Sequence, residues 1–293
     1  MNRECSLNYP KTVLTLGPTL LFMNIRIAFI GGGNMASAIM GGLIKQGISP
    51  HCMDVVEPFE PARLKLETSF GIQSHLSAGS FLVRNQLVVW AVKPQIFQQA
   101  TIAVAPHTTS ALHLSVAAGI RSDSIAALLG TDRVVRAMPN TPALIGKGIS
   151  GLFARAGVSD ADKRLVDDVM ATTGQFLWLD AEEQLDSVTA LSGSGPAYVF
   201  YFMEAMITAG VQMGLSQEQA RQLALATFAG ASELACSSSD SPDILRQRVT
   251  SKGGTTHAAL LSMEDNDMGI QFIHAMFAAR ERAKALGDEF GRI

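Results

Sequence analysis

The chain has few of the cysteines on which disulfide-bonded and zinc-binding proteins rely. Its 293 residues include only three cysteines, Cys5, Cys52 and Cys236, an odd number placed far apart. They form neither a disulfide framework nor a zinc spacing, so we interpret them as reduced thiols in the cytoplasm. The six histidines show no ligand pairing either, and no metal site is expected.

Neither sign of charge is in excess, and the apolar runs are interrupted. Lys and Arg number 23 against 26 Asp and Glu, a net charge of −3, so no basic patch points to a nucleic-acid partner. Between Leu191 and Leu215 the only charged residue is Glu204, but scattered polar residues make a membrane partner unexpected. A segment that is apolar on nearly every side instead predicts burial against a second copy of the chain, hence a homo-oligomer.

The N-terminal residues match nothing that follows them. Met23 would be a natural start, because a predicted strand begins just after it. A secretory signal peptide is the alternative for Thr12–Phe22, but Pro18 interrupts that apolar run and no small-residue cleavage site follows. We therefore expect residues 1–23 to be a disordered extension or an upstream start.

A glycine-rich turn follows the first predicted strand, Arg26–Ile30. Gly31, Gly33 and Ala36 match the G-x-G-x-x-G/A pattern of a dinucleotide fold. The helix predicted after it, Asn34–Lys45, would direct its unpaired N–H groups at the pyrophosphate. An ordinary tight turn between strand and helix is the alternative, and the second predicted strand downstream favours the nucleotide site.

That second strand, His51–Glu57, ends in an acid. An acid at this place often accepts hydrogen bonds from the ribose hydroxyls and repels a 2′-phosphate, which favours NAD(H). Against this, Pro58 and Pro61 indicate an irregular loop, and Arg63 could pair with a phosphate. A water-facing Glu57 is therefore the alternative, and both NAD(H) and NADP(H) stay open.

Further apolar runs predict a mostly parallel sheet that is covered on both faces. They are Gln86–Val92, Ala111–Ala118, Arg133–Met138, Ile149–Ala154 and Gln175–Leu179, with a helix, Asp160–Thr172, capped by Ser159. Ligands sit at the carboxyl ends of strands in such sheets, so Ala91–Pro94 and Ala117–Gly119 are expected to line the cofactor cleft. The loop around Asn140, stiffened by two prolines, should reach the same edge.

From Gln184 onward the pattern is helical, which predicts two domains. They are an α/β Rossmann (doubly wound, mostly parallel) domain, residues 24–182, and an all-α dimerisation and substrate domain, residues 183–293. The second domain begins with the apolar helix within Leu191–Leu215. Its next helix follows the capping box of Ser216 and Gln219 and runs to about Cys236. A short helix is predicted at Asp243–Val249, and a long helix is predicted to end near Leu286, before Gly287.

The long helix is preceded by the loop Thr250–His257, TSKGGTTH. A double glycine flanked by hydroxyls at a helix start presents free N–H groups that suit a carboxylate, with Thr255 or Thr256 able to bond a nearby nitrogen. A hinge between helices is the alternative.

Five motifs in order make the chain similar to the pyrroline-5-carboxylate reductase family over nearly all of Ile25–Leu286. They are FIGGGNMA (Phe29–Ala36), AVKPQ (Ala91–Gln95), MPNTPA (Met138–Ala143), LSGSGPAY (Leu191–Tyr198) and VTSKGGTTHAAL (Val249–Leu260). The resemblance implies reduction of 1-pyrroline-5-carboxylate to L-proline with NADP(H) or NAD(H), the last step of proline biosynthesis. It also implies a helical domain that interleaves with its partner into a dimer, sometimes a decamer.

The resemblance assigns roles to individual residues. The cofactor-binding residues it implies are Gly31, Gly32, Gly33, Asn34, Met35, Ala36, Glu57, Ala91, Val92, Lys93, Pro94, Ala117, Ala118, Gly119 and Asn140. The backbone of Ser251, Gly254 and Thr255 would hold the substrate carboxylate, and the hydroxyl of Thr256, the one catalytic residue implied, would approach the ring nitrogen.

Two departures and two alternatives remain. Lys252 stands where many members have proline, and Glu57 stands where NADPH-preferring members carry small hydroxyl or basic residues, so cofactor preference is not implied. A related imine or β-hydroxyacid dehydrogenase and a non-catalytic nicotinamide-binding regulator are the other functional hypotheses. The intact SKGGTT loop argues against the regulator.

Overall fold

The computed structural model describes residues 25–291, so the interpretation of residues 1–23 falls outside it. Within that range eight strands form one sheet. They are β1 (Ile27–Ile30), β2 (Met53–Val56), β3 (Ser74–His75), β4 (Leu87–Trp90), β5 (Leu112–Ser115), β6 (Val134–Met138), β7 (Gly148–Ala154) and β8 (Gly174–Trp178). The spatial order is β3-β2-β1-β4-β5-β6-β7-β8, and every neighbouring pair is parallel except β6 and β7.

The sheet is covered on both faces by helices. Those of the first half are α1 (Asn34–Lys45), α2 (Glu60–Phe70), α3 (Pro94–Val104), α4 (Ser122–Leu129) and α5 (Asp160–Ala171). Alternate residues of β1 enter different cores: Ile27 and Phe29 join the one under α1 and α5, whereas Ala28 and Ile30 join the one under α3 and α4. The predicted doubly wound α/β class is confirmed.

Local signals set several boundaries. Helix α1 has the predicted bounds, and the Ser159 hydroxyl accepts the backbone N–H of Asp162 at the start of α5, completing a capping box. The prediction of an irregular loop through Pro58 and Pro61 is wrong for Pro61, because α2 begins at Glu60. Pro61 is tolerated there because the first turn of a helix leaves its N–H groups without intrahelical partners.

The second half is helical throughout its described residues. It contains α6 (Gln184–Val188), a π-helical segment (Thr189–Gly193), α7 (Gly195–Gln212), α8 (Gln217–Ser237), α9 (Pro242–Arg248), α10 (Thr255–Asp265) and α11 (Met268–Phe290). The capping box of Ser216 and Gln219 is present at the start of α8. Placement of the domain boundary between residues 182 and 183 stays a prediction.

The prediction of a single long helix after the SKGGTT loop is wrong, because two helices, α10 and α11, occupy this part of the chain. The chain breaks between α10 and α11, where Asp267 adopts a positive φ of 53°. Gly287 does not end α11, which continues to Phe290. A Cβ at Gly287 would lie 2.7 Å from the Nε of Arg121, so this glycine lets the guanidinium pack directly on the helix.

Arg121 joins the first half of the chain to the helical half, and Glu182 anchors the segment just before α6. The Arg121 guanidinium forms an ion pair with Asp186 of α6 at 3.1 Å. One oxygen of Glu182 accepts the backbone N–H of Ser122 at 2.6 Å, which caps α4, and also accepts the buried Arg136 at 2.5 Å. Because each of these charges is partnered, the connection restrains how the two halves sit against each other.

The helical half exposes large apolar side chains. Phe200 and Tyr201 of α7 are 56% and 69% exposed, and Phe277 of α11 is 52% exposed. None of the helices in residues 25–291 combines the length and apolarity that crossing a membrane requires. An apolar surface of this kind on a single chain is typical of a protein–protein interface.

Candidate cofactor and substrate sites

The candidate cofactor crevice lies between the carboxyl ends of β1 and β4, where the strand order reverses. Ile30 pairs with Trp90 at these ends. The next residues are also bonded, since the Ala91 N–H donates to the Ile30 carbonyl at 2.8 Å and the Gly31 N–H donates to the Val56 carbonyl at 2.9 Å. In open α/β sheets this switch point is where nucleotides bind.

The three glycines of the turn differ in what surrounds them. Gly31 has a φ of 95°, and a Cβ there would lie 2.7 Å from the Ala91 carbonyl oxygen. A Cβ at Gly32 would lie 2.7 Å from Leu66, whereas one at Gly33 would meet nothing within 4 Å. Packing inside the protein therefore requires the first glycine, a side chain at the second would have to displace Leu66, and the third faces open space.

That open space adjoins the N-terminus of α1, which suits a phosphate. No side chain of the described residues caps this helix, and its first turn carries no acid. Asn34 is exposed and Met35 is partly exposed at the helix start, whereas Ala36 is fully buried and lets the helix pack closely on the sheet. Unpaired N–H groups and the helix dipole both favour an anion here, so the residues present fit a dinucleotide pyrophosphate.

Glu57 turns toward the glycine turn instead of simply facing water. Its Oε2 accepts the Gly32 N–H at 2.7 Å, and its Oε1 accepts the Phe59 N–H at 2.8 Å. Arg63 lies close by, and its Nη1 donates to the backbone carbonyls of Glu57 and Pro58 at 3.0 and 2.7 Å. A negative charge is thereby fixed where the ribose of an adenosine would approach.

The opposite side of the crevice is formed by the segments that follow β4 and β5. The Val116 N–H donates to the Trp90 carbonyl at 3.0 Å, which brings the two segments together. The first segment comprises Ala91, Val92, Lys93 and Pro94, and the second comprises Ala117, Ala118 and Gly119. Gly119 also packs against α11, because a Cβ there would lie 3.3 Å from Leu286.

Asn140 follows the carboxyl end of β6, at the predicted edge of the sheet, and its side chain makes two hydrogen bonds that the sequence did not indicate. Its side chain is 9% exposed; its Oδ1 accepts the Ile149 N–H at 3.0 Å, and its Nδ2 donates to the Ser192 carbonyl at 3.1 Å. It therefore connects β7 to the π-helical segment, which carries part of the LSGSGPAY motif. Sequence reasoning missed that segment, although Pro196, which has no N–H, signals a break in the helical hydrogen bonding.

The SKGGTT loop starts helix α10. Gly254 is the N-cap residue with extended backbone, and its N–H donates to the Ser251 carbonyl at 3.0 Å. Ser251 and Thr255 are exposed and Thr256 is partly exposed, and no side chain of the described residues caps the helix. These features suit an anion. Among residues 25–291, no hydrogen bond or ion pair joins this loop to the crevice at β1 and β4.

No group of three or more His, Cys, Asp or Glu side chains in the described part of the chain is arranged to hold a metal ion.

Two family models match the chain. Residues 182–286 match a model described as pyrroline-5-carboxylate reductase dimerisation, and residues 26–119 match one described as NADP oxidoreductase coenzyme F420-dependent. A dimerisation region implies a homo-oligomer, as the apolar run Leu191–Leu215 predicted.

Similar proteins and structures extend this likeness to almost the whole chain. A pyrroline-5-carboxylate reductase of Pseudomonas aeruginosa is 44% identical over 269 residues, 91% of this chain and 98% of its own length. One of Arabidopsis thaliana is 33% identical, covering 90% of this chain and 96% of its own.

Among solved structures, a pyrroline-5-carboxylate reductase from Coxiella burnetii has a TM-score of 0.84 at 37% identity, covering 89% of this chain and 98% of its own. The Plasmodium falciparum enzyme with NADP bound has a TM-score of 0.81 at 31% identity, covering 90% and 99%. With this identity, coverage and shared fold, the chain belongs to the pyrroline-5-carboxylate reductase family.

Proposed function

We propose that this protein reduces 1-pyrroline-5-carboxylate to L-proline with NADPH or NADH, the last step of proline biosynthesis. The observation that carries the proposal is the 44% identity to a reductase of this name across 91% of the chain. The crevice between β1 and β4 supports the cofactor half of the proposal. The cysteine usage favours a cytoplasmic setting.

The crevice residues have separable tasks in binding the cofactor. The N-terminus of α1 and the open side of Gly33 receive the pyrophosphate, Glu57 faces the adenosine ribose, and the Ala117–Gly119 segment lines the nicotinamide side. When bound, NAD(P)H supplies a hydride from C4 of its nicotinamide to the C=N carbon of the imine.

The substrate is oriented by the loop before α10. The backbone of Ser251, Gly254 and Thr255 forms the turn that holds its carboxylate. The N–H groups of Ser251 and Thr255 donate to it, the Gly254 N–H closes the turn on the Ser251 carbonyl, and the positive end of the helix dipole adds to the attraction. The Thr256 hydroxyl bonds the ring nitrogen as it changes from an imine to an amine. Threonine is not a strong acid at neutral pH, so it positions the nitrogen. The proton is either already on the imine or comes from solvent, and in the second case the hydroxyl relays it.

Orientation contributes a large share of the catalysis in this scheme. A protonated imine accepts hydride readily, so the protein has to align two rings and exclude water, and such alignment supplies on the order of 7 to 11 kcal/mol in well-aligned cases. The crevice and the loop lie in different halves of the chain. The match of residues 182–286 to a dimerisation model supports subunits that interleave, in which the loop of one subunit completes the site of its neighbour and α7 and α11 form the dimer interface or part of a larger assembly.

The test is oxidation of NADPH and of NADH followed by absorbance, with and without 1-pyrroline-5-carboxylate. Oxidation that depends on the imine, with proline as product, is the expected result. Binding of both cofactors without turnover would contradict the proposal. Turnover of a different cyclic imine, with none of this substrate, would favour a related imine dehydrogenase.

A further inference from the structure

The π-helical segment Thr189–Gly193 contains two carbonyl groups that lack their usual helical donors. The Ser194 N–H donates to the Thr189 carbonyl at 2.8 Å, a bond that spans five residues. It therefore leaves the Ala190 carbonyl without the donor that an α-helix would provide. Four residues after Ser192 comes Pro196, which has no N–H, so the Ser192 carbonyl also lacks its α-helical donor.

Two side chains supply the missing donors. The Tyr198 hydroxyl donates to the Ala190 carbonyl at 3.2 Å, and the Asn140 Nδ2 donates to the Ser192 carbonyl at 3.1 Å. The orientation of the Asn140 amide is fixed by its neighbours, because its oxygen must face the Ile149 N–H and its nitrogen must face the Ser192 carbonyl. Asn140 therefore links a strand of the sheet to a helical segment by both ends of one amide.

The segment that these bonds hold is packed between the sheet and α11. The methyl end of Met138, at the end of β6, lies over Gly193, where a Cβ would come within 2.6 Å of it. Helix α11 packs against the segment on one side. Near its C-terminus the same helix contacts Gly119, in the segment that lines the nicotinamide side of the crevice.

We propose that Asn140 is a positioning residue that, together with Tyr198, fixes the π-helical segment against the sheet. This role replaces the direct cofactor contact expected from the resemblance, and it rests on the reductase reaction proposed above. Through α11 the segment sets how the helical half meets the nicotinamide side of the crevice. Loss of either hydrogen bond misaligns the two rings without removing any group that binds the cofactor.

Two substitutions separate positioning from cofactor binding. Asn140→Ala and Tyr198→Phe each remove one donor, and both are expected to lower kcat with 1-pyrroline-5-carboxylate roughly tenfold to a hundredfold, because small misplacements are costly in aligned reactions. The Kd for NAD(P)H, measured from its fluorescence, should stay within about twofold of the wild-type value. The proposal would be overturned if Asn140→Ala raised the Kd for NAD(P)H tenfold while Tyr198→Phe kept the wild-type kcat and Kd.

A third substitution offers a rescue. Pro196→Ala restores a backbone N–H four residues after Ser192, so the helix itself can donate to the Ser192 carbonyl and the Asn140 amide is no longer needed there. Because the Ile149 N–H still lacks the Asn140 Oδ1, the double variant Asn140→Ala/Pro196→Ala should recover only part of the kcat lost by Asn140→Ala. A double variant no better than Asn140→Ala, with Pro196→Ala alone close to wild type, would contradict the role.

The outcomes distinguish this inference from the proposed reaction. A wild-type enzyme that fails to oxidise NAD(P)H with the imine overturns both. An active wild type whose Asn140→Ala and Tyr198→Phe variants keep full kcat overturns the positioning role alone. If Asn140→Ala does not fold, Tyr198→Phe, which keeps the aromatic ring, decides the question.

Discussion

The Glu57 carboxylate accepts the backbone N–H of Gly32 at 2.7 Å, so the end of β2 and the glycine turn share one hydrogen bond. A second bond, from the Phe59 N–H at 2.8 Å, holds the other oxygen. The carboxylate keeps further lone pairs with which to accept the ribose hydroxyls of NADH. A 2′-phosphate at the same place would meet a fixed negative charge.

Glu57 is therefore expected to disfavour NADPH relative to NADH. Replacing it by serine removes the charge that would repel the 2′-phosphate. The ratio of kcat/KM for NADPH to that for NADH should therefore rise about tenfold or more, which corresponds to about 1.4 kcal/mol. The matched control is Glu60→Ser, which removes an exposed acid from the start of α2. A ratio that changes equally in both variants would contradict a specific role for Glu57.

Gly33 provides a test of where the pyrophosphate lies. A Cβ at this position meets nothing within 4 Å, and the backbone there is extended with a negative φ of −70°. Gly33→Ala should leave the melting temperature unchanged while it raises the Kd for NAD(P)H at least tenfold, because the methyl group occupies the space beside the helix N-terminus.

Gly31→Ala is the contrasting variant. Its Cβ would lie 2.7 Å from the Ala91 carbonyl oxygen, at a φ of 95° that alanine adopts only with strain. It should lower the free energy of unfolding by about 1 to 3 kcal/mol. For the other variant, Gly33→Ala, an unchanged Kd for NAD(P)H would indicate that the pyrophosphate binds elsewhere.

The features that the sequence predicted well depend on neighbours along the chain. The bounds of α1 follow from a glycine turn and a helical apolar pattern, and the capping boxes of α5 and α8 need only residues three apart. The start of α2 was missed because Pro58 and Pro61 were both interpreted as loop residues, although proline is favoured in the first turn of a helix.

Features that depend on distant residues could not be predicted in this way. The position of Gly287 within α11 is explained by Arg121, far away in the sequence. The two hydrogen bonds of the Asn140 amide join three separate elements. The same limitation applies to the SKGGTT loop, because no local pattern indicates whether it would complete the crevice of its own subunit or that of a neighbour.

Thr256 is the one residue for which a direct part in the reaction is expected. Thr256→Ala removes the hydroxyl that is proposed to bond the substrate nitrogen, so kcat should fall much more than cofactor binding weakens. Steady-state rates and the Kd for NAD(P)H measure the two effects separately. Thr68→Ala, which removes an exposed threonine hydroxyl from α2, is the control, and equal activity of the two variants would refute the role.

His113 makes stability depend on pH. It lies in β5 at 1% exposure, and its Nδ1 accepts the Trp90 Nε1–H at 3.1 Å. Burial lowers the pKa of His113 from 6.5 to about 4. The positive charge of Arg133 also lowers this pKa, whereas a hydrogen bond with the Thr108 backbone raises it. Between these two values the unfolded chain binds a proton that the folded chain does not, so stability falls as the pH falls from 6.5 toward 4.

Between pH 7 and pH 5 this histidine should lower the free energy of unfolding by about 2 kcal/mol. His113→Gln keeps a neutral acceptor for Trp90 and removes the titration, so its urea unfolding should lose correspondingly less stability over that interval. The exposed His51→Gln is the control and should retain the wild-type slope. Protein concentration is held fixed, because dissociation of an oligomer also shifts apparent stability. Parallel slopes for wild type and His113→Gln would mean that His113 is protonated in the folded protein as readily as in the unfolded chain.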